Sequence, residues 1–150
     1  MKIRSLGPDE VSPELLERLV ELEERAFGSL ALNRGTLPPF VRYGKIYLLE
    51  DGEELRGHAI LMRSWGKGKT AYLFSLEVEE GFRGEGKGSY LLNELMDRLK
   101  EEGVDALELT VHPANQAALS LYRGKGFSVV KLLKDLYGGG EDRLLLRLEL

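Results

Sequence analysis

The sequence predicts an α/β (α+β) fold, a mixed and mostly antiparallel sheet of about seven strands with about four helices on both of its faces. Three observations carry this. Alternating and helically periodic apolar stretches succeed one another as β, α, loop, three strands, α, β, α, β, β. A helical stretch stands between the strands near 71 and 106, a crossover that makes those two strands parallel. Other neighbouring strands are joined by short glycine-bearing turns, which favour antiparallel hairpins. Neither an internal repeat nor a Ser/Pro-rich linker breaks the order, and the length suits a single domain over 1–150.

Lys2 to Leu6 form the first strand, ended by Gly7-Pro8. Ser12 then has the chemistry of an N-cap, with Pro13 at the first helical position and Glu14 in the first turn. Leu15, Leu16, Leu19, Leu22 and Ala26 recur at helical spacing through Phe27, predicting an amphipathic helix whose glutamates face water. Residues 28–45 show no sustained period and carry Gly28, Gly35, Pro38 and Pro39; they predict a loop with one short helix from Pro38 to Arg42. Such a loop is either a plain connector or the place where an acceptor is selected. Phe27, Leu37, Phe40 and Tyr43 accordingly either anchor it on the core or line a groove, Phe40 and Tyr43 being the candidate substrate contacts. Ile46 to Glu50 and Leu55 to Ser64 read as strands joined by Asp51-Gly52, and 65–70 (WGKGKT) as a second turn.

The chain is organised around residues 71–100. An apolar run, Tyr72 to Val78, leads into Arg83-Gly84-Glu85-Gly86-Lys87-Gly88 and then a helix carrying Leu91, Leu92, Leu95, Met96 and Leu99. A helix start leaves amide N–H groups without intrahelical partners and carries partial positive charge, so it suits a phosphate. Glycines allow positive φ and close approach of an anion, Arg83 and Lys87 add charge, and Ser89 adds a hydroxyl. The stretch therefore reads as a pyrophosphate cradle. It is not the Walker pattern, because Gly-Lys is followed by Gly88, and its glycines do not match the dinucleotide fingerprint.

Composition narrows the function. A net charge of −4 argues against a general nucleic-acid binder. The absence of cysteine excludes a disulfide framework, a thiolate zinc site and a cysteine acyl-enzyme. No metal site is expected. No apolar stretch approaches the length of a membrane span and MKIRSLGPDE lacks a signal-peptide core, which makes the cytoplasm the expected compartment and a membrane partner unexpected.

After the cradle helix, Gly103 suits a C-cap and Ala106 to Val111 the next strand, with Leu107, Leu109 and Val111 on one face and Glu108, Thr110 and His112 on the other. Pro113-Ala114-Asn115 opens a helix bearing Ala118, Leu119, Leu121 and Tyr122, which ends at Gly124-Lys125-Gly126-Phe127. Strands Ser128 to Lys134 and Arg143 to Leu150 close the chain around Tyr137-Gly138-Gly139-Gly140.

Two motifs in these stretches carry a family resemblance. R-x-x-G-x-G after a strand resembles the acetyl-coenzyme A loop of the GNAT superfamily of N-acetyltransferases, and N-x-x-A-x-x-L-Y-x-x-x-G-F, standing as Asn115, Ala118, Leu121, Tyr122, Gly126 and Phe127, is similar to its second cofactor motif. The ending KDLYGGGEDRLLLRL looks like the branch that acetylates ribosomal proteins and other protein N-termini. The resemblance covers residues 71–150 well and the first seventy only in element order.

The resemblance implies a sheet splayed between its two central parallel strands, with acetyl-coenzyme A as co-substrate. Backbone groups of Leu76 and Val78 would pair with the pantetheine arm, Arg83, Gly84, Gly86, Lys87, Gly88 and Ser89 would bind the pyrophosphate, and Asn115 would touch the arm. Tyr122 would be the general acid for the departing thiolate. The family's usual glutamate, five residues before the asparagine, is here Thr110, which cannot act as a base at neutral pH. Glu77 is the preferred candidate base, with Glu108, His112 or water as alternatives; His58 shows no catalytic partner. The implied reaction is direct acetyl transfer to a primary amine, preferably a protein N-terminus because the Tyr137 hairpin walls the peptide groove in that branch. Small amines (polyamine, amino acid, antibiotic) and a non-catalytic acyl-coenzyme A binding module remain alternatives, as do monomer and homodimer.

Overall fold

The computed structural model describes residues 1–66 and 68–150; Lys67, in the predicted 65–70 turn, lies outside the described residues. Its strands are β1 (Lys2–Ser5), β2 (Lys45–Asp51), β3 (Glu54–Arg63), β4 (Thr70–Val78), β5 (Ala106–Val111), β6 (Ser128–Leu133) and β7 (Arg143–Glu149). Its α-helices are α1 (Pro13–Phe27), α2 (Leu37–Tyr43), α3 (Lys87–Glu101) and α4 (Gln116–Gly124). The sheet has seven strands in the order β1-β2-β3-β4-β5-β7-β6. β4 and β5 are parallel, whereas β1 with β2, β2 with β3, β5 with β7 and β6 with β7 are antiparallel. Contacts divide the described residues into two compact units, 1–62 with 75–95 and 63–74 with 96–150, so β4 and α3 each contribute to both.

In the first unit, α1 begins where its cap predicts: Ser12 Oγ accepts the N–H of Leu15 at 3.1 Å and Pro13 takes the first helical position. Leu19 and Leu22 are buried on its inner stripe. Glu23 corrects the expectation that the glutamates of α1 face water, since its side chain is 0% exposed. It lies four residues after Leu19, one turn further along the same stripe. β2 buries four consecutive residues, Ile46 to Leu49, the sign of a strand covered on both faces. A register shift between Leu49 and Glu50 bends β2 against β3. The predicted short helix is α2, anchored by buried Leu37 and Val41. Gly44 ends it where a Cβ would stand 2.5 Å from the Leu61 carbonyl oxygen, so only glycine passes there.

In the second unit, β5 is paired along its whole length with β7, Leu107 opposite Leu148 and Leu109 opposite Leu146. The predicted C-cap is present at Gly103, with φ of +80° and its N–H on the Lys100 carbonyl. β4 matches β5 in three register pairs, Thr70 with Ala106, Ala71 with Leu107 and Tyr72 with Glu108; among the described residues the parallel pairing stops there. β6 ends one residue before the predicted Lys134, and Asp135 then adopts φ of +56° in the turn.

Candidate active site

The predicted cradle lies within the first unit. A short 3₁₀ turn, Glu80–Phe82, follows β4, and Arg83 stands at its end in extended conformation. Gly84 and Gly86 have φ of +81° and +74°, values that explain glycine at both positions; Gly88 lies in the first turn of α3. A Cβ at any of the three would meet nothing within 4 Å, so the side of the loop they line is open. The first helical bond of α3 runs from Tyr90 N–H to the Gly86 carbonyl at 2.9 Å. The amides of Lys87, Gly88 and Ser89 precede it and fall outside the helical ladder, as phosphate binding requires. Leu91, Leu92 and Leu95, fully buried, fix the helix behind them.

The charged groups around this loop are ordered by ion pairs. Arg83 does not extend as an isolated cation: its Nε donates to the Val78 carbonyl at 2.9 Å and its Nη2 pairs with Glu77. Thus the Glu77 carboxylate, expected as the base, and the Val78 carbonyl, on the backbone expected to meet the pantetheine arm, are both partners of Arg83. Burial pushes the Glu77 carboxyl above its ordinary value while Arg83 pulls it down, and the upward effect wins; the side chain is 11% exposed. Next along the chain, Glu79 receives two guanidinium groups, Arg18 of α1 at 2.5 Å and Arg56 of β3 at 2.7 Å. Gly57 lets β3 pass this segment closely, since a Cβ there would stand 2.5 Å from the Glu77 carbonyl oxygen.

The second unit holds Tyr122 and Asn115. Tyr122 lies on α4 with its ring edge-on to Phe127, centroids 5.4 Å apart, and burial pushes its phenol up to about 12. Asn115 is the N-cap of α4, its Oδ1 accepting the Ala118 N–H at 3.1 Å, so the carboxamide oxygen is committed to starting the helix. Thr110 is bonded to the Tyr72 hydroxyl at 2.8 Å. Burial raises the Tyr72 phenol, Thr110 and Arg143 oppose that, and Tyr137 adds to it. The Arg143 guanidinium stands 5.1 Å from the centroid of the Tyr137 ring. The other base candidates of this face are engaged too: Glu108 pairs with Arg147 at 3.0 Å, and His112 Nδ1 accepts the Ala114 N–H at 3.0 Å.

Of the proposed acceptor contacts in the first unit, Phe40 is half-buried on α2 and Tyr43 is 83% exposed. Sequence reasoning missed the pairing of Glu79 with Arg18 and Arg56, the pairing of Tyr72 with Thr110, and a buried cluster in which Glu23 Oε2 lies 3.3 Å from His58 Nε2 and Glu23 Oε1 accepts from Ser75 Oγ at 3.4 Å. Strand alternation does place Tyr72 on one face of β4 and Ser75 on the other, but neither partner could be paired with it from spacing alone. Among the described residues no group of three or more His, Asp or Glu side chains is arranged to hold a metal ion, and no helix is long and apolar enough to cross a membrane.

Residues 13–127 match the sequence profile of the Acetyltransferase (GNAT) family, and the chain belongs to that family. It is an N-acetyltransferase by that membership and by its relatives, with acetyl-coenzyme A as co-substrate. Over 140 residues it is 34% identical to the [Ribosomal protein bS18]-alanine N-acetyltransferase of Haemophilus influenzae, which covers 87% of this chain and 89% of that protein. Over 138 residues it is 30% identical to the N-alpha-acetyltransferase of Sulfolobus acidocaldarius, 78% of this chain and 82% of that one. A GNAT family acetyltransferase from Elizabethkingia anophelis with acetyl-CoA bound shares the fold, with a TM-score of 0.78, 20% identity and coverage of 99% of this chain and 97% of that one.

Proposed function

We propose that the enzyme transfers acetyl from acetyl-coenzyme A directly to the α-amine of a protein or peptide N-terminus. The observation that carries the acceptor is the 34% identity to a ribosomal-protein alanine N-acetyltransferase across most of both chains. The Tyr137 side chain beside Arg143, in the hairpin between β6 and β7, supports it as a polar aromatic wall for a peptide. The cradle Arg83, Gly84, Gly86, Lys87, Gly88 and Ser89 would take the pyrophosphate, backbone groups of Leu76 and Val78 the pantetheine arm, with Asn115 beside it. Phe40, Tyr43 and Tyr137 are the acceptor contacts of this reading.

In the reaction, the neutral amine nitrogen attacks the thioester carbonyl carbon and the C–S bond then breaks. The amine's surplus proton goes to Glu77, whose carboxyl burial makes more basic than usual. The departing sulfur takes its proton from Tyr122, which stays protonated because its phenol is pushed up to about 12. The proposal extends to a cytoplasmic enzyme acting as a monomer or homodimer over one domain, 1–150, with no nucleic-acid, membrane or metal partner.

The test is incubation of the purified protein with acetyl-coenzyme A and peptides of varied first residue, alongside polyamines and amino acids, reading thiol release and product mass. Acetylated peptide α-amine is expected. Turnover confined to the small amines would overturn the acceptor assignment, and coenzyme A binding without turnover on any acceptor would overturn the catalytic one.

A further inference from the structure

We propose that Glu79 is a positioning residue for the coenzyme A cradle, acting through a double guanidinium clamp that fixes the segment from Val78 to Arg83. This rests on the cofactor reading of the loop above.

Glu79 follows β4 directly, and nothing in the reaction requires a carboxylate there. Its two oxygens are divided between elements far apart in sequence: Oε1 takes Arg18 Nη2 at 2.5 Å and Oε2 takes Arg56 Nη1 at 2.7 Å. The backbone repeats the attachment, with the Glu79 N–H donating to the Arg56 carbonyl at 2.7 Å. The Phe82 N–H then donates to the Glu79 carbonyl at 2.8 Å, and the Arg56 guanidinium carbon lies 4.2 Å from the centroid of the Phe82 ring. Arg56 therefore grips both ends of the 3₁₀ turn, its first residue's predecessor through an ion pair and its last residue through cation–π contact. Arg83 comes next, and the cradle begins.

The clamp is partly shielded, with the Glu79 side chain 20% exposed, Arg18 28% and Arg56 23%. Both arginines hold the Glu79 carboxyl below its ordinary value, Arg56 contributing most. Two-arm attachment matters here because Gly84 and Gly86 are intrinsically permissive, so the direction in which the loop leaves β4 must be set upstream of them. Sub-ångström misplacement of backbone donors is enough to weaken anion binding, and the acceptor amine meets this segment only indirectly, through the pairing of Arg83 with Glu77.

The test compares Glu79→Gln with Glu80→Gln, which removes the same charge one residue later from an exposed side chain outside the clamp. Calorimetric titration with coenzyme A is expected to give a Kd raised about tenfold for Glu79→Gln and within about twofold of the parent for Glu80→Gln. Steady-state kinetics should follow, with KM for acetyl-coenzyme A raised by more than kcat falls, because Arg83 also pairs with Glu77, and with KM for the amine near the parent value. Arg18→Gln, which removes one arm only, should give a smaller rise and guards against loss of folding in Glu79→Gln. A lowered unfolding midpoint with unchanged coenzyme A affinity in both clamp variants would make Glu79 a stability residue only and overturn the inference. A parent protein that binds no coenzyme A would instead overturn the cofactor reading, and the inference with it.

Discussion

Replacing Tyr122 by phenylalanine removes one oxygen and keeps the ring that meets Phe127 edge-on at 5.4 Å. The phenol is pushed up to about 12 by burial, so at pH 8 roughly one molecule in ten thousand has lost this proton. The acid is thus available throughout the neutral range, and a phenylalanine supplies no substitute. Loss of a positioned general acid typically costs about 10² to 10⁴ in rate, or about 3 to 5 kcal/mol in activation free energy. Thiol-release kinetics from pH 6.5 to 9.5 should show kcat reduced by that factor, with KM for acetyl-coenzyme A nearly unchanged because the phenol acts after binding. A kcat within about threefold of the parent would refute the acid role. Stability supplies an independent check with a definite sign. Well below pH 10.0 the folded and unfolded phenols are both protonated; as pH rises through that value the unfolded one ionises first, so the parent loses stability until about 12. Denaturant unfolding across that window should show the decline in the parent and a shallower one in Tyr122→Phe, the buried Tyr72 phenol, also raised, supplying the remainder.

Three further outcomes follow from the geometry. Glu77→Gln should abolish an acid limb in kcat/KM, because a base with a raised carboxyl value loses activity as pH falls through that value; an unchanged limb would move the base elsewhere. Gly57→Ala should lower the unfolding midpoint, since its Cβ would stand 2.5 Å from the Glu77 carbonyl oxygen and 3.3 Å from Val78 Cα, and an unchanged midpoint would show that β4 yields there. Tyr72→Phe should cost about 1 kcal/mol in denaturant unfolding by removing the 2.8 Å bond to Thr110, and a neutral result would mean that Thr110 finds an equal partner.

The sequence made visible what local chemistry determines. Ser12, Pro13 and Gly103 announce helix ends through capping and positive φ, and the alternation from Ala106 to Val111 coincides with the limits of β5. The turn before α3 is legible for the same reason, because glycines at 84 and 86 answer to backbone angles that the chain states one residue at a time. Hidden were the pairings set by tertiary packing. By its place in the sequence Arg83 is charge for the cradle, yet its guanidinium is shared by Glu77 and Val78. Residue type makes Glu23 a solvated side chain, whereas its position one turn after Leu19 puts it on the inner stripe. Arg18, Arg56 and Glu79 lie in three different elements, and no spacing rule joins them.

The Glu23 and His58 side chains have consequences for how the sequence can drift. Each is 0% exposed and each is the other's neighbour at 3.3 Å. Exchange of either one alone for an apolar residue would strand the survivor's polar atoms in the buried interior, an expensive intermediate. Exchange of both for well-packed hydrophobic side chains of similar volume would leave only the Ser75 hydroxyl without its acceptor, a smaller penalty. Variation at positions 23 and 58 is therefore expected to proceed in joint steps, separated by single variants that fold poorly, while the solvent-facing glutamates of the same helix wander freely.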